Sequence, residues 1–374
     1  MPRTILFIFG TRPEAIKLAP LIRHLNRTPQ RYSVKVCVTA QHRAMLDQVL
    51  DAFAIRPDFD LDLMTPGQTL FESTSRIIAG LGRVFAGAKP DLAIVQGDTT
   101  TTFCGALAAF YSRVPVAHVE AGLRTGDLAQ PFPEELNRVL TSRIAALHFA
   151  PTSRAAENLA REGVSSGVSV TGNTGIDAVL YIRDRLERGE LSSSGDFTRP
   201  GRKLILITAH RRENFGEGFE RICAALRQIA DREDVNLVYP VHPNPNVRAA
   251  ADRLKHPNIT LIEPLSYVDF VNVMRRAYLI LTDSGGIQEE GPSLAKPILV
   301  LREKTERPEA VEAGTVKLVG TDPARIVSET ALLLENPGEY ERRSRCHNPY
   351  GDGHASERIE AALRQWHKPP GLCS

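Results

Sequence analysis

Between positions 118 and 138 the chain reads HVEAGLRTGDLAQPFPEELNR, gathering Glu120, Arg124, Asp127, Glu134, Glu135 and Arg138 just past an apolar run. Carboxylates collected at the end of a buried strand can exchange a proton with a bound substrate. Partial desolvation raises their pKa toward the range useful for general acid–base work. A further acid, Asp98, follows a glycine in VQGDTTTT, at the end of another apolar run. If those two runs are neighbouring strands, Asp98 and Glu120 lie side by side. Asp127 and Glu135 read more simply as solvated loop charges.

Other stretches carry a different chemistry. GTRPEAIK (10–17) offers a glycine turn, Thr11 as a helix N-cap, Pro13 in the first helical turn, and the cations Arg12 and Lys17. Free N–H groups at such a helix start favour an anion. ITAHRREN (207–214) ends an apolar run with His210, and VYPVHPNP (238–245) does the same with His242. DSGGIQEEGP (283–292) brings Ser284, Gly285 and Gly286 to a helix start, with Glu290 further along. Imidazolium, guanidinium and unhindered backbone amides are the donors that phosphate oxygens take. A carboxylate such as Glu290 suits a pair of ribose hydroxyls. A nucleoside diphosphate on the later motifs, with its sugar reaching the earlier carboxylates, uses all of these groups. The glycine patterns are neither G-x-G-x-x-G nor Walker A, and no HExxH occurs, so no cofactor and no metal is expected.

The elements that must position these groups alternate regularly. Strand-like runs fall at 4–10, 33–40, 92–97, 114–120 and 147–151, then at 204–210, 236–242, 259–264, 278–283 and 297–303. Helical patterns such as 13–25 and 69–85 separate them, which is the signature of parallel α/β sheets. The expected fold is α/β, with two Rossmann-like doubly wound domains facing a cleft. The first spans 1–172 and the second 173–355, and a last helix within 356–374 is placed to pack back on the first. In such sheets ligands bind beyond the carboxyl ends of the strands, which is where the motifs fall.

Composition narrows the partners. With 46 basic and 44 acidic residues among 374, the net charge of +2 gives no electrostatic footprint for nucleic acid. No apolar stretch approaches the roughly 20 residues of a spanning helix, so no membrane partner is expected. The five cysteines are scattered without a CxxC pair, and the N-terminus runs straight into a strand, so a reducing cytoplasm is expected.

The motifs GTRPEAIK, QGDTTTT, HVEAGLRTGD, FPEELNR, TGNTGIDAV, TAHRREN, VHPNPNV and DSGGIQEEGP occur in that order between residues 10 and 292. Together they resemble those of the non-hydrolysing UDP-N-acetylglucosamine 2-epimerases, and PILVLREKTERPEAVEAGT (297–315) continues the likeness. The resemblance implies a fold of the glycosyltransferase-B type, a UDP-sugar substrate, a homodimer, and interconversion of UDP-N-acetylglucosamine with UDP-N-acetylmannosamine. In that reaction UDP leaves C1 as the C2 proton is removed, and it adds back to the 2-acetamidoglucal with reprotonation on the other face. On this likeness Asp98, Glu120 and Glu134 handle protons, and which acts on which face stays open. His210 assists UDP departure. Arg12, Lys17, Arg138, His242, Ser284, Gly285 and Gly286 hold the diphosphate, and Glu290 the ribose.

Gln41 and His42 match a second, activating UDP-sugar site of bacterial members. Ala44 stands where a glutamine is often found, and Gly67 where an arginine is often found. Weak or absent activation is therefore expected. The residues leave open a 2-epimerase acting on a modified UDP-sugar of the diacetamido-uronate type, a hydrolysing epimerase, and a glycosyltransferase on the same fold. A catalytically silent sensor predicts gaps among the acid–base residues, and there are none.

Overall fold

The computed structural model describes residues 1–39, 43–65 and 67–367; Gln41 and His42 lie outside the described residues. The first parallel sheet contains β1 (Arg3–Phe9), β2 (Tyr32–Val38), β3 (Phe59–Asp60), β4 (Leu92–Gln96), β5 (Val116–Val119), β6 (Leu147–Ala150) and β7 (Val168–Val170). Its order is β3-β2-β1-β4-β5-β6-β7. The second contains β8 (Lys203–Thr208), β9 (Val235–Pro240), β10 (Ile259–Ile262), β11 (Leu279–Thr282), β12 (Ile298–Val300) and β13 (Val316–Leu318). Its order is β10-β9-β8-β11-β12-β13. Both therefore follow the doubly wound nucleotide-binding order, in which the crevice opens where the chain reverses direction across the sheet. That point lies between β1 and β4 in one unit and between β8 and β11 in the other.

The central strands are apolar on both faces because helices cover both sides of a parallel sheet. Ile5, Leu6, Phe7, Ile8 and Phe9 are all essentially fully buried. Each such side chain contributes about 1.5–3 kcal/mol by leaving water. Short edge strands lack this signal. β3 has two residues and β13 three, and neither stands out as an apolar run.

The chain divides into two compact units inside the helix Thr174–Glu187, at Ala178, and returns to the first at Tyr350. The last helix, Ala355–Gln365, belongs to the first unit. Buried Asp177 caps it, its carboxylate accepting from Ala355 N at 3.1 Å and Ser356 N at 2.7 Å. Tyr32 Oη donates to Glu360 at 3.1 Å, and Arg3 donates to Leu363 O at 2.9 Å.

Candidate active site

In the first unit the crevice is set by the loops after β1 and β4. Gly10 ends β1 under the Thr39 and Thr101 hydroxyls, where an added Cβ would stand 2.2 and 2.6 Å from their oxygens. No larger residue fits. Thr11 then caps the helix Arg12–Asn26, with Glu14 completing a capping box. The Glu14 carboxylate is buried and saturated. Oε2 accepts from Gly10 N at 3.0 Å and Thr11 N at 2.7 Å, and Oε1 from the Thr99 and Thr102 hydroxyls at 2.6 and 3.0 Å. Burial pushes its proton affinity up, and the hydrogen bonds from Thr99, Gly10 and Thr11 oppose that. The Gly10 and Thr11 amides, expected to be free for an anion, are thus taken by Glu14. Arg12 stands half-buried at the first helical position.

β4 and β5 pair directly, Gln96 opposite Val119, so the residues after them are neighbours. Glu120 follows β5 with a left-handed backbone, φ 66°. A non-glycine residue held this way costs of order 1–3 kcal/mol and marks a site whose surroundings dictate the geometry. Its carboxylate is gripped from two sides. Lys17 Nζ lies 2.5 Å from Oε1, and Gln96 Nε2 donates to Oε2. Lys17, expected as a phosphate donor, therefore has its ammonium on Glu120.

Asp98 follows β4, its backbone carbonyl accepting from Asn137 Nδ2 at 2.9 Å. Arg138 lies between two acids, 3.3 Å from Asp98 Oδ2 and 3.1 Å from Glu135 Oε2. Glu134 opens the helix Glu134–Ile144, is half-buried, and its carboxylate has no partner among the described residues. Asp98, Glu120 and Glu134 thus differ sharply in environment. One is on an arginine, one is clamped by a lysine, and one is uncommitted.

The solvated-charge reading holds for Asp127 and fails for Glu135. Asp127 is exposed, and among the described residues its carboxylate accepts only from Ala129 N within its own turn, at 2.9 Å. Glu135 is 1% exposed; Oε1 accepts from Thr125 N at 2.9 Å and Gly126 N at 3.0 Å. It fastens the loop to the helix that carries Glu134 and Arg138. Arg124 is a second fastening, bidentate to Glu162 at 2.7 and 2.9 Å.

In the second unit His210 ends the loop entry after β8 and His242 follows β9, its neighbour in the sheet. Their rings stack with centroids 5.2 Å apart at 14°. Asn244 N donates to His242 Nδ1 at 3.2 Å, which leaves Nε2 as that ring's donor. Beyond β11, Ser284 precedes the short helix Gly285–Glu290. A Cβ on Gly285 would meet the Arg307 guanidinium at 3.4 Å and that of Arg211 at 3.7 Å. Gly286 has open space where its Cβ would be. Arg307 is held by buried Glu289 at 2.5 Å, whereas Arg211's guanidinium makes no ion pair among the described residues. Glu290 closes that short helix, half-buried. Ser284, Gly285, His210, His242, Arg211 and Arg307 therefore form one cationic, glycine-floored group of donors.

The family model for UDP-N-acetylglucosamine 2-epimerase matches residues 23–364. The chain belongs to the UDP-N-acetylglucosamine 2-epimerase family. It is 57% identical to the UDP-N-acetylglucosamine 2-epimerase of Escherichia coli K12, across 96% of this chain and 98% of that protein. The Bacillus subtilis protein of the same name is 54% identical across 96% of this chain and 94% of its own. A Neisseria meningitidis UDP-GlcNAc 2-epimerase solved with bound UDP-GlcNAc has 49% identity and a TM-score of 0.89, covering 97% of this chain and 100% of that one.

For this UDP-N-acetylglucosamine 2-epimerase family member, motif reading found the strand-end residues and missed those that hold them. Glu14, Asp283 and Arg307 were absent from it. Glu14 carries a visible capping-box signature in T-x-x-E, and Asp283 ends an apolar run as Asp98 nearly does. Arg307 had no local signal.

Proposed function

We propose that the chain reversibly epimerises UDP-N-acetylglucosamine at C2, giving UDP-N-acetylmannosamine. The observation that carries this is the contrast between the two units. One presents three carboxylates, Asp98, Glu120 and Glu134, in three distinct electrostatic settings, and the other presents clustered donors for a diphosphate.

The chemistry follows from those settings. C2 of the sugar is a weak acid, so its proton leaves only as the C1–O bond to UDP breaks. The departing diphosphate gathers negative charge, which His210, His242, Arg211, Arg307 and the amides about Ser284, Gly285 and Gly286 neutralise. Glu290 takes the ribose hydroxyls. Glu120 is paired with Lys17, whereas the Glu134 carboxylate makes no ion pair among the described residues, so different charges face the two acids. Asp98, shared with Arg138, completes the set on which deprotonation and reprotonation of opposite faces depend. Arg12 and Arg138 add cationic character to the first unit's strand ends.

The finer properties belong to the same reading. The protein works as a cytoplasmic homodimer. Phe110 and Tyr111 support self-association, being 60% and 68% exposed at the end of the helix Thr100–Tyr111. Free thiols at Cys37, Cys104, Cys223 and Cys346 support a reducing compartment. Among the described residues no helix is long and apolar enough to cross a membrane. Activation by a second UDP-sugar is weak, because Gly67 adds no side chain to such a site.

The deciding experiment incubates the protein with UDP-N-acetylglucosamine in D2O and follows C2 by NMR. Deuterium at C2 together with UDP-N-acetylmannosamine is expected. Accumulation of free UDP would assign hydrolysis instead, and absence of exchange would reject this substrate.

A further inference from the structure

The second unit contains a carboxylate that no step above uses. Asp283 follows β11 and is fully buried. Its Oδ2 accepts from His210 N and Arg211 N, both at 2.8 Å, and from Asn214 Nδ2 at 3.2 Å. Its Oδ1 has no hydrogen-bond partner among the described residues, and His210 Nδ1 stands 3.6 Å from it. That separation is too long for a hydrogen bond. A buried carboxylate oxygen left without a donor is costly, so the pair is one ring movement short of its stable arrangement.

The groups around His210 are few. Asp283 faces it from the end of β11, His242 stacks on it from the end of β9, and Arg211 adjoins it in the chain. Burial foremost, then His242 and Arg211, disfavour the imidazolium, and Asp283 alone favours it; the balance lies below the usual histidine range. A neutral ring with Nδ1–H toward Asp283 offers only a lone pair at Nε2, which repels a phosphate oxygen. Negative charge arriving beside His210 reverses the balance, because a phosphate on one nitrogen and a carboxylate on the other both favour the doubly protonated ring.

We propose that His210 takes up a proton from solvent when the diphosphate binds, with Asp283 as the buried positioning residue that accepts from Nδ1 and aims Nε2–H at the phosphate. The proton enters at Nε2 and returns to solvent when the diphosphate leaves. This rests on the UDP-binding reading above, and it assigns the second unit a charge-coupled binding step.

Calorimetric titration of UDP at pH 7, in PIPES and in Tris, counts the protons exchanged without relying on turnover. Free UDP, with a second phosphate pKa near 6, is only about one-tenth protonated at pH 7, so its own ionisation can release at most about 0.1 proton and cannot supply an uptake. The wild type is expected to take up more protons than His210→Gln, by a substantial fraction of one per UDP. Asp283→Asn, whose amide oxygen can still accept from the His210 and Arg211 amides, is expected to lose that uptake and bind roughly tenfold more weakly. His242→Gln keeps the uptake. Equal proton counts for wild type and His210→Gln overturn the proposal, and that comparison stands even if Asp283→Asn does not fold. Undiminished uptake in a folded Asp283→Asn also overturns it. UDP binding without uptake leaves the function intact, whereas absence of UDP binding rejects both.

Discussion

Lys17 Nζ lies 2.5 Å from Glu120 Oε1, although 103 residues separate the two in sequence. The lysine stands on the helix after β1 and the glutamate just past β5, and both side chains are largely shielded from water. Replacing Lys17 by Met takes the ammonium away from a shielded carboxylate, so its proton affinity must rise. The acidic limb of kcat against pH should move to higher pH, and kcat should fall on the order of 10²-fold at neutral pH. Lys17→Arg should restore much of both. Loss of UDP affinity with an unmoved limb would instead identify Lys17 as a phosphate ligand.

Asp98→Asn and Glu134→Gln remove proton acceptors while keeping shape. Each should lower the epimerisation rate by roughly 10²–10⁴-fold and slow C2 deuteration in parallel. UDP affinity, which we assign to the second unit, should be unchanged by calorimetry. A matched loss of UDP binding would relocate these residues to the nucleotide.

Glu135→Gln and Asp127→Asn separate a buried fastening from a surface turn. Glu135 accepts from two amides and faces Arg138, so its loss should destabilise the first unit by about 1–3 kcal/mol. Asp127→Asn should change stability by less than about 0.5 kcal/mol. Urea unfolding of the two variants gives the comparison directly.

Two buried histidines set an acid limit on the first unit. His118 Nε2 donates to Gly97 O, 2.7 Å away, and the residue sits opposite His148 on the adjacent strand. Burial, above all, lowers His118 to about 3 and His148 to about 4. Both are neutral when folded, so the unfolded chain binds protons first as pH falls below the ordinary histidine value. Stability is complete above pH 6.5 or so and drains away between there and about pH 3. Thermal unfolding midpoints should fall steeply over that window, and His118→Gln should flatten the slope.

Much of the scaffold was legible. β1, β4, β8 and β11 are apolar runs buried on both faces, and the residues closing them announce themselves by contrast. The adjacency of Asp98 and Glu120 could be anticipated because β4 and β5 are consecutive strands joined by one helix. The Lys17–Glu120 pair could not, since it depends on β1, β4 and β5 lying in that spatial order. Glu135 shows the other limit. Its spacing to Arg138 is visible as a helical i,i+3 pair, but nothing local distinguishes a surface pair from one that is almost wholly enclosed.

The two units share one device with one difference. After the central strand of each, a buried carboxylate grasps two consecutive backbone amides: Glu14 takes Gly10 and Thr11, and Asp283 takes His210 and Arg211. Glu14 spends its remaining oxygen on two threonine hydroxyls, so its fastening is closed on all sides. Asp283 keeps an oxygen in reserve. A duplicated architecture thereby acquires two temperaments, one half that holds its geometry whatever charge arrives, and one half built to register that arrival.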